Sequence, residues 1–80
     1  LGDVYKRQRH GYMSSAVRLV LGYAFGQLGL HRVEAACLPH NAASIALLRR
    51  TGFEHEGLAR AYLKIAGEWR DHLLFAKLAS

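Results

Sequence analysis

Cysteine is almost absent from this chain: Cys37 is the only one among 80 residues. A lone thiol excludes an internal disulfide, and a thiol that stays reduced suits a cytoplasmic protein. Long apolar runs are missing as well. A bilayer span needs about 20 predominantly apolar residues, and the greasiest stretch, Ala16 to Leu30, is interrupted by Arg18, Gly22, Gly26, Gln27 and Gly29. That stretch reads as a core helix, and no membrane role is expected. Metal-binding patterns are lacking too: no cysteine pair exists, and His55-Glu56 is not followed by a second histidine at helical spacing, so no metal is expected. Acidic residues are scarce, six against eleven Lys and Arg, for a formal net charge of +5. That balance favours anionic ligands without specifying a fold. Internal repeats, linkers and low-complexity tracts are absent.

What is present describes one small globular unit. Hydrophobic residues make up 51% of the chain, ordinary for a folded domain and too high for a disordered one. The opening LGDVYKRQ has no initiator methionine, no signal-peptide pattern and no hydrophobic period that continues into the rest. It resembles a translated sequencing-adapter remnant, so residues 1–8 read as a non-native segment and the natural sequence as starting near Arg9.

From Gly11 onward the periodicity changes in steps. Met13, Val17, Val20, Ala24 and Leu28 recur at helical spacing, with Ser14, Arg18, Gly22 and Gly26 on the other side, which predicts a helix from Met13 to Leu28 with Gly29 as its left-handed stop. Arg32 to Leu38 is compatible with a buried strand ended by Pro39. A second helix starts at Asn41, a favoured N-cap, and closes with Gly52 at C′ and Phe53 at C″ packing back on Leu48. Leu58 to Ile65 reads as a strand with Leu58, Arg60, Tyr62 and Lys64 sharing one face. Ala66-Gly67 is a hairpin turn, and Trp69 to Leu78 is the return strand. Helix, strand, helix and hairpin together make an α/β pattern.

Two places stand out chemically. In QRHGYM a glycine, Gly11, stands at the start of a helix behind basic residues, an arrangement whose unpaired amides and helix dipole suit a phosphate. In PHNAAS, capping accounts for Asn41 but not for Ser44, a helix-interior serine with weaker propensity than alanine. Arg49 and Arg50 are explained by the negative end of the second helix. Cys37 reads as a small buried strand residue and not as a nucleophile.

With QRHGYM, NAAS, RRTGF, EG and GEWRDH in this order, the sequence resembles the C-terminal half of the GNAT N-acetyltransferases, above all the subgroup that acetylates the N-terminal alanine of ribosomal proteins. The resemblance covers nearly all of residues 9–80, which are then a partial N-acetyltransferase domain with a mixed sheet. It implies acetyl-CoA as cosubstrate. The segment Arg9, His10, Gly11, Tyr12 and Met13 would cradle its pyrophosphate through backbone amides, with the hydroxyl of Ser14. Asn41 would contact the pantetheine arm, and Ser44 would be the catalytic proton donor to the departing thiolate. The acceptor implied is a primary amine, most readily the N-terminal α-amine of a ribosomal protein, attacking the thioester directly; no direct nucleic-acid contact is expected. Three departures accompany the resemblance. Met13 stands where the family has a small residue, the family's carbonyl-polarising strand is not in this sequence, and Arg60-Ala61 stands where some members carry a glutamate base, so the base is unassigned. The alternatives are a catalytically inactive fragment and a basic module that binds RNA or ribosomes through Arg60, Tyr62 and Lys64.

Overall fold

The computed structural model describes the backbone of residues 2–79 and the side chains of residues 12–79. Its elements are helix α1 (Gly2–Gly22), a π-helical turn (Tyr23–Gln27), strand β1 (Arg32–Cys37), helix α2 (Ala42–Arg50), strand β2 (Glu54–Ile65) and strand β3 (Glu68–Leu78). The first helix differs from the expectation at both ends. Its start lies well before Met13, because Lys6, Arg7, Gln8 and Arg9 are good helix formers and one glycine, Gly11, costs only about 1 kcal/mol in a helix. At the other end the helix widens before it stops: the Leu28 amide donates to Tyr23 O at 3.0 Å, and Leu30 N closes on Ala24 O at 2.9 Å beyond Gly29, whose φ is +66°. The expected glycine stop is therefore present, one π turn wide.

The buried stripe of α1 is also rotated from the one expected. Ser14, Leu21 and Ala24 are buried and Val17 and Phe25 half-buried, while Val20 and Leu28 are exposed. Leu19, Val20, Leu21, Tyr23 and Phe25 make this helix apolar on more than one side, so periodicity alone allows several faces. The choice is made by tertiary contact, with Arg50 Nε donating to Ser14 Oγ at 3.1 Å and Arg18 Nη2 to Arg50 O at 3.3 Å.

The three strands lie in the order β1-β3-β2, and both pairings are antiparallel. The expected mixed sheet is thus not seen among the described residues. The crossover through α2 does make β1 and β2 parallel, but β3 lies between them and pairs with both. Ala66 (φ +52°) and Gly67 (φ +82°) turn the hairpin; two consecutive positive φ values form the turn whose twist matches that of paired strands. Both helices pack on one face of the sheet around Leu21, Cys37, Phe53 and Phe75, supported by Val17, Val33, Ala35, Ile45, Leu48 and Leu73. The alternation in β1 and β3 sends Arg32, Glu34, Ala36, His72 and Leu74 to the opposite, helix-free face.

The ends of α2 follow the expected caps closely. Asn41 Oδ1 accepts from Ser44 N at 3.1 Å. At the other end Phe53 N donates to Leu48 O at 2.9 Å and Gly52 N to Arg49 O at 3.1 Å, with Gly52 at φ +94°, which is the Schellman pattern.

Candidate active site

The head of α2 is built by a tight turn. Pro39 has no amide proton to continue β1, and Asn41 N donates back to Leu38 O at 3.0 Å. That places Asn41 at the cap. The cap uses the amide of Ser44 and not its hydroxyl, so the structure supplies no capping reason for this serine, as the sequence suggested. Against the turn lies a cavity of about 320 Å³, walled by Leu38, Pro39 and His40 on one side and by Trp69, Arg70 and Asp71 of β3 on the other. A loop that leads into a helix N-terminus thus faces the hairpin across an open space.

Ser14, the other hydroxyl of interest, sits elsewhere. Its contact is Arg50, the last residue of α2, whereas Ser44 lies in the first turn. At 1.5 Å per residue the two are separated by about 9 Å along α2. Arg9, His10 and Gly11 lie within α1, and their side chains fall outside the described residues. Tyr12 and Met13 are on α1 and exposed. The stretch Arg9 to Met13 is accordingly helix interior in this structure and not a helix start. Arg50, read from sequence only as a dipole partner, ties α1 to α2; its position in the chain carries no signal of that contact.

The remaining titratable residues divide between the sheet faces. His55 stacks near Phe75 on the helix-covered face, with ring centroids 5.3 Å apart. Glu56 is bulged out of register toward the other face and meets Arg32, whose Nη1 donates to Glu56 Oε2 at 3.1 Å and whose Nε reaches Glu34 Oε1 at 3.3 Å. The hydrogen bonds from Arg32 hold the Glu56 carboxyl below its ordinary range. A smaller cavity of about 140 Å³ opens there, lined by Arg32, Glu34, Glu56, Tyr62 and Leu74 among others. Cys37 is buried, and burial pushes its thiol up, which keeps it protonated and a weak nucleophile.

The hairpin breaks the expected alternation. Between the pairs Ala59↔His72 and Leu63↔Arg70, three residues of β2 oppose the single Asp71. Leu58 and Lys64 pair with Leu73 and Trp69, whereas the Tyr62 ring lies against His72, with centroids 5.7 Å apart. His72 is one residue out of phase with Leu73, so Arg60, Tyr62 and Lys64 do not form one regular strand face. Sequence reading missed this because no glycine or proline marks the stretch from Arg60 to Tyr62 where the extra residues sit.

A three-stranded sheet with two helices on one face, a capped helix head beside an open cavity and a long hairpin as the far wall make an α/β half-fold. The comparisons make that specific. The family model for the acetyltransferase (GNAT) domain matches residues 2–54. The chain is 50% identical over 68 residues to the probable N-acetyltransferase YjcK of Bacillus subtilis, covering 85% of this chain and 38% of the relative. To the ribosomal protein uS5 alanine N-acetyltransferase of Escherichia coli it is 45% identical over 71 residues, covering 89% of this chain and 37% of the relative. Among solved structures, the ribosomal-protein-S5-alanine acetyltransferase from Vibrio fischeri superposes with a TM-score of 0.84 at 40% identity, over 88% of this chain and 38% of that one. Mycobacterium smegmatis RimJ in complex with CoA-disulfide gives 0.81 at 43%, over 84% and 32%. The chain belongs to the GNAT acetyltransferase family. It spans less than two fifths of the length of these relatives.

Proposed function

We propose that the full-length protein carrying this sequence is an acetyl-CoA-dependent N-acetyltransferase acting on a primary amine, with a protein N-terminal α-amine, that of a ribosomal protein, as the acceptor. The observation that carries this reading is the head of α2: a serine not needed for the cap, one turn into a helix whose leading turn walls a cavity large enough for two reacting groups. The similarity to alanine N-acetyltransferases of ribosomal proteins supports the acceptor class, and the CoA-disulfide complex of a relative supports the cofactor.

The chemistry follows from the groups. The neutral amine attacks the thioester carbonyl, a C–N bond forms and the C–S bond breaks. The amine nitrogen gives its surplus proton to solvent, and the departing thiolate takes a proton from the Ser44 hydroxyl, which solvent restores. Asn41 holds the turn and would contact the pantetheine arm. An extended cofactor would have Ser44 near its thioester at the head of α2, while Ser14, with Arg18 and Arg50 beside it at the other end of α2, would serve its anionic half. Arg9 to Met13 join the pyrophosphate site on the condition that α1 begins at Gly11 in the full-length protein, freeing their amides.

The test is transfer of acetyl from acetyl-CoA to a peptide with an N-terminal alanine, followed by mass spectrometry. Ser44→Ala is expected to lower kcat about 100-fold, the scale of a lost general acid, with the KM for acetyl-CoA nearly unchanged. Undiminished kcat in Ser44→Ala would remove the serine from the mechanism.

A further inference from the structure

The irregularity in β2 has a visible cause. Where Arg60, Ala61 and Tyr62 oppose Asp71 alone, the backbone of Ala61 takes φ +47°, a left-handed conformation that costs an alanine about 1 kcal/mol or more. An unpaired strand amide would add to that cost. Asp71 Oδ1 accepts the Ala61 amide at 2.9 Å, so a side chain of β3 replaces the ladder bond that the extra residues removed. The same Asp71 walls the cavity beside the head of α2, together with Trp69 and Arg70. One residue past Ala61, the exposed Tyr62 ring is directed to His72 on the other face of the sheet. Asp71 is itself exposed, so the core does not require it.

From this geometry we infer that Asp71 is a positioning residue for the amine acceptor: by holding the Ala61 amide it fixes the bulge, and the bulge fixes the hairpin wall of the cavity at the head of α2. This rests on the N-acetyltransferase reading above and adds to it the element that sets acceptor affinity. A bulge held by a side chain from the neighbouring strand is a rigid way to aim a strand. Without that bond the strained Ala61 relaxes, the three-residue stretch loses its register, and the wall moves.

The test compares Asp71→Ala, Asp71→Asn and Asp71→Glu with wild type in the full-length protein. Asn keeps an oxygen at the same place; Glu keeps the charge and moves it by one methylene. Asp71→Ala is expected to raise the KM for the amine acceptor about tenfold, the scale of one hydrogen bond, with the KM for acetyl-CoA changed less than about twofold. Asp71→Asn is expected to restore the acceptor KM and Asp71→Glu to fail. Amide hydrogen exchange at Ala61 should accelerate in Asp71→Ala and Asp71→Glu and return in Asp71→Asn. Unchanged Ala61 exchange, an unchanged acceptor KM, or equal rises in both KM values would overturn the inference while leaving the transferase reading intact. If Asp71→Ala does not fold, the Asn and Glu pair decides on the same criteria. Absence of any acetyl transfer by wild type would overturn the transferase reading, and this inference with it.

Discussion

At the residue scale, two side chains and one glycine do work that can be measured singly. Asn41 is the N-cap of α2, so Asn41→Ala is expected to lower stability by about 1 kcal/mol in urea denaturation, in addition to any loss of cofactor binding. Gly52 stands at φ +94°. A Cβ there would come within 2.7 Å of Lys77 Nζ, the mobile end of a side chain that can swing aside, so the backbone conformation sets the cost: Gly52→Ala should destabilise by about 1 to 2 kcal/mol, read from the same denaturation curves. Glu56 gives a pH dependence of definite sign. Because Arg32 holds its folded pKa below the unfolded one, its contribution is full above the ordinary glutamate range, about pH 4.3, and fades as pH falls through the lower folded value. The carboxylate is 43% exposed, so the effect is small. Glu56→Gln should flatten the acid limb of the stability profile and lower the profile above the glutamate range by a small, constant amount, with its slope above pH 7 unchanged.

At the element scale, the hairpin turn offers the cleanest change. Ala66 occupies a left-handed position that alanine adopts at a cost, so Ala66→Gly or Ala66→Asn should raise the thermal midpoint, by the equivalent of about 0.5 to 1 kcal/mol. The elements also differ in how far they were legible. The caps of α2 could be read because Asn41, Gly52 and Phe53 act through bonds to residues within one or two turns. The Ala66-Gly67 turn was readable for the same reason. The buried face of α1 was not, since an apolar helix offers several stripes and Arg50, thirty-six residues from Ser14, chooses among them. Nor was the bulge at Ala61, which exists through Asp71 on a neighbouring strand. At the candidate site, Ser44 could be singled out because it fitted no local rule. The cavity against the turn that precedes α2 is made by two segments that meet only in the fold, so the sequence showed one wall and not the other.

For the whole molecule, the core is small. Phe75 is 1% exposed and sits in the central strand, where both helices and both flanking strands meet it, so Phe75→Ala should cost about 3 to 5 kcal/mol, a large fraction of the stability a domain of this size commands. A sheet covered on one face carries the helix head and the hairpin as two walls of a cavity, and the proposed catalysis needs a cofactor to enter between them. The measurement that bears on this most directly is an NMR titration of the full-length protein with CoA and with desulfo-CoA. The predicted result is a set of backbone amide shifts at Asn41 to Ile45 and at Ser14, with the signal of Ser44 differing between the two cofactors because only one carries the sulfur. Saturable binding that leaves the head of α2 unmoved, or no binding at all, would contradict the account.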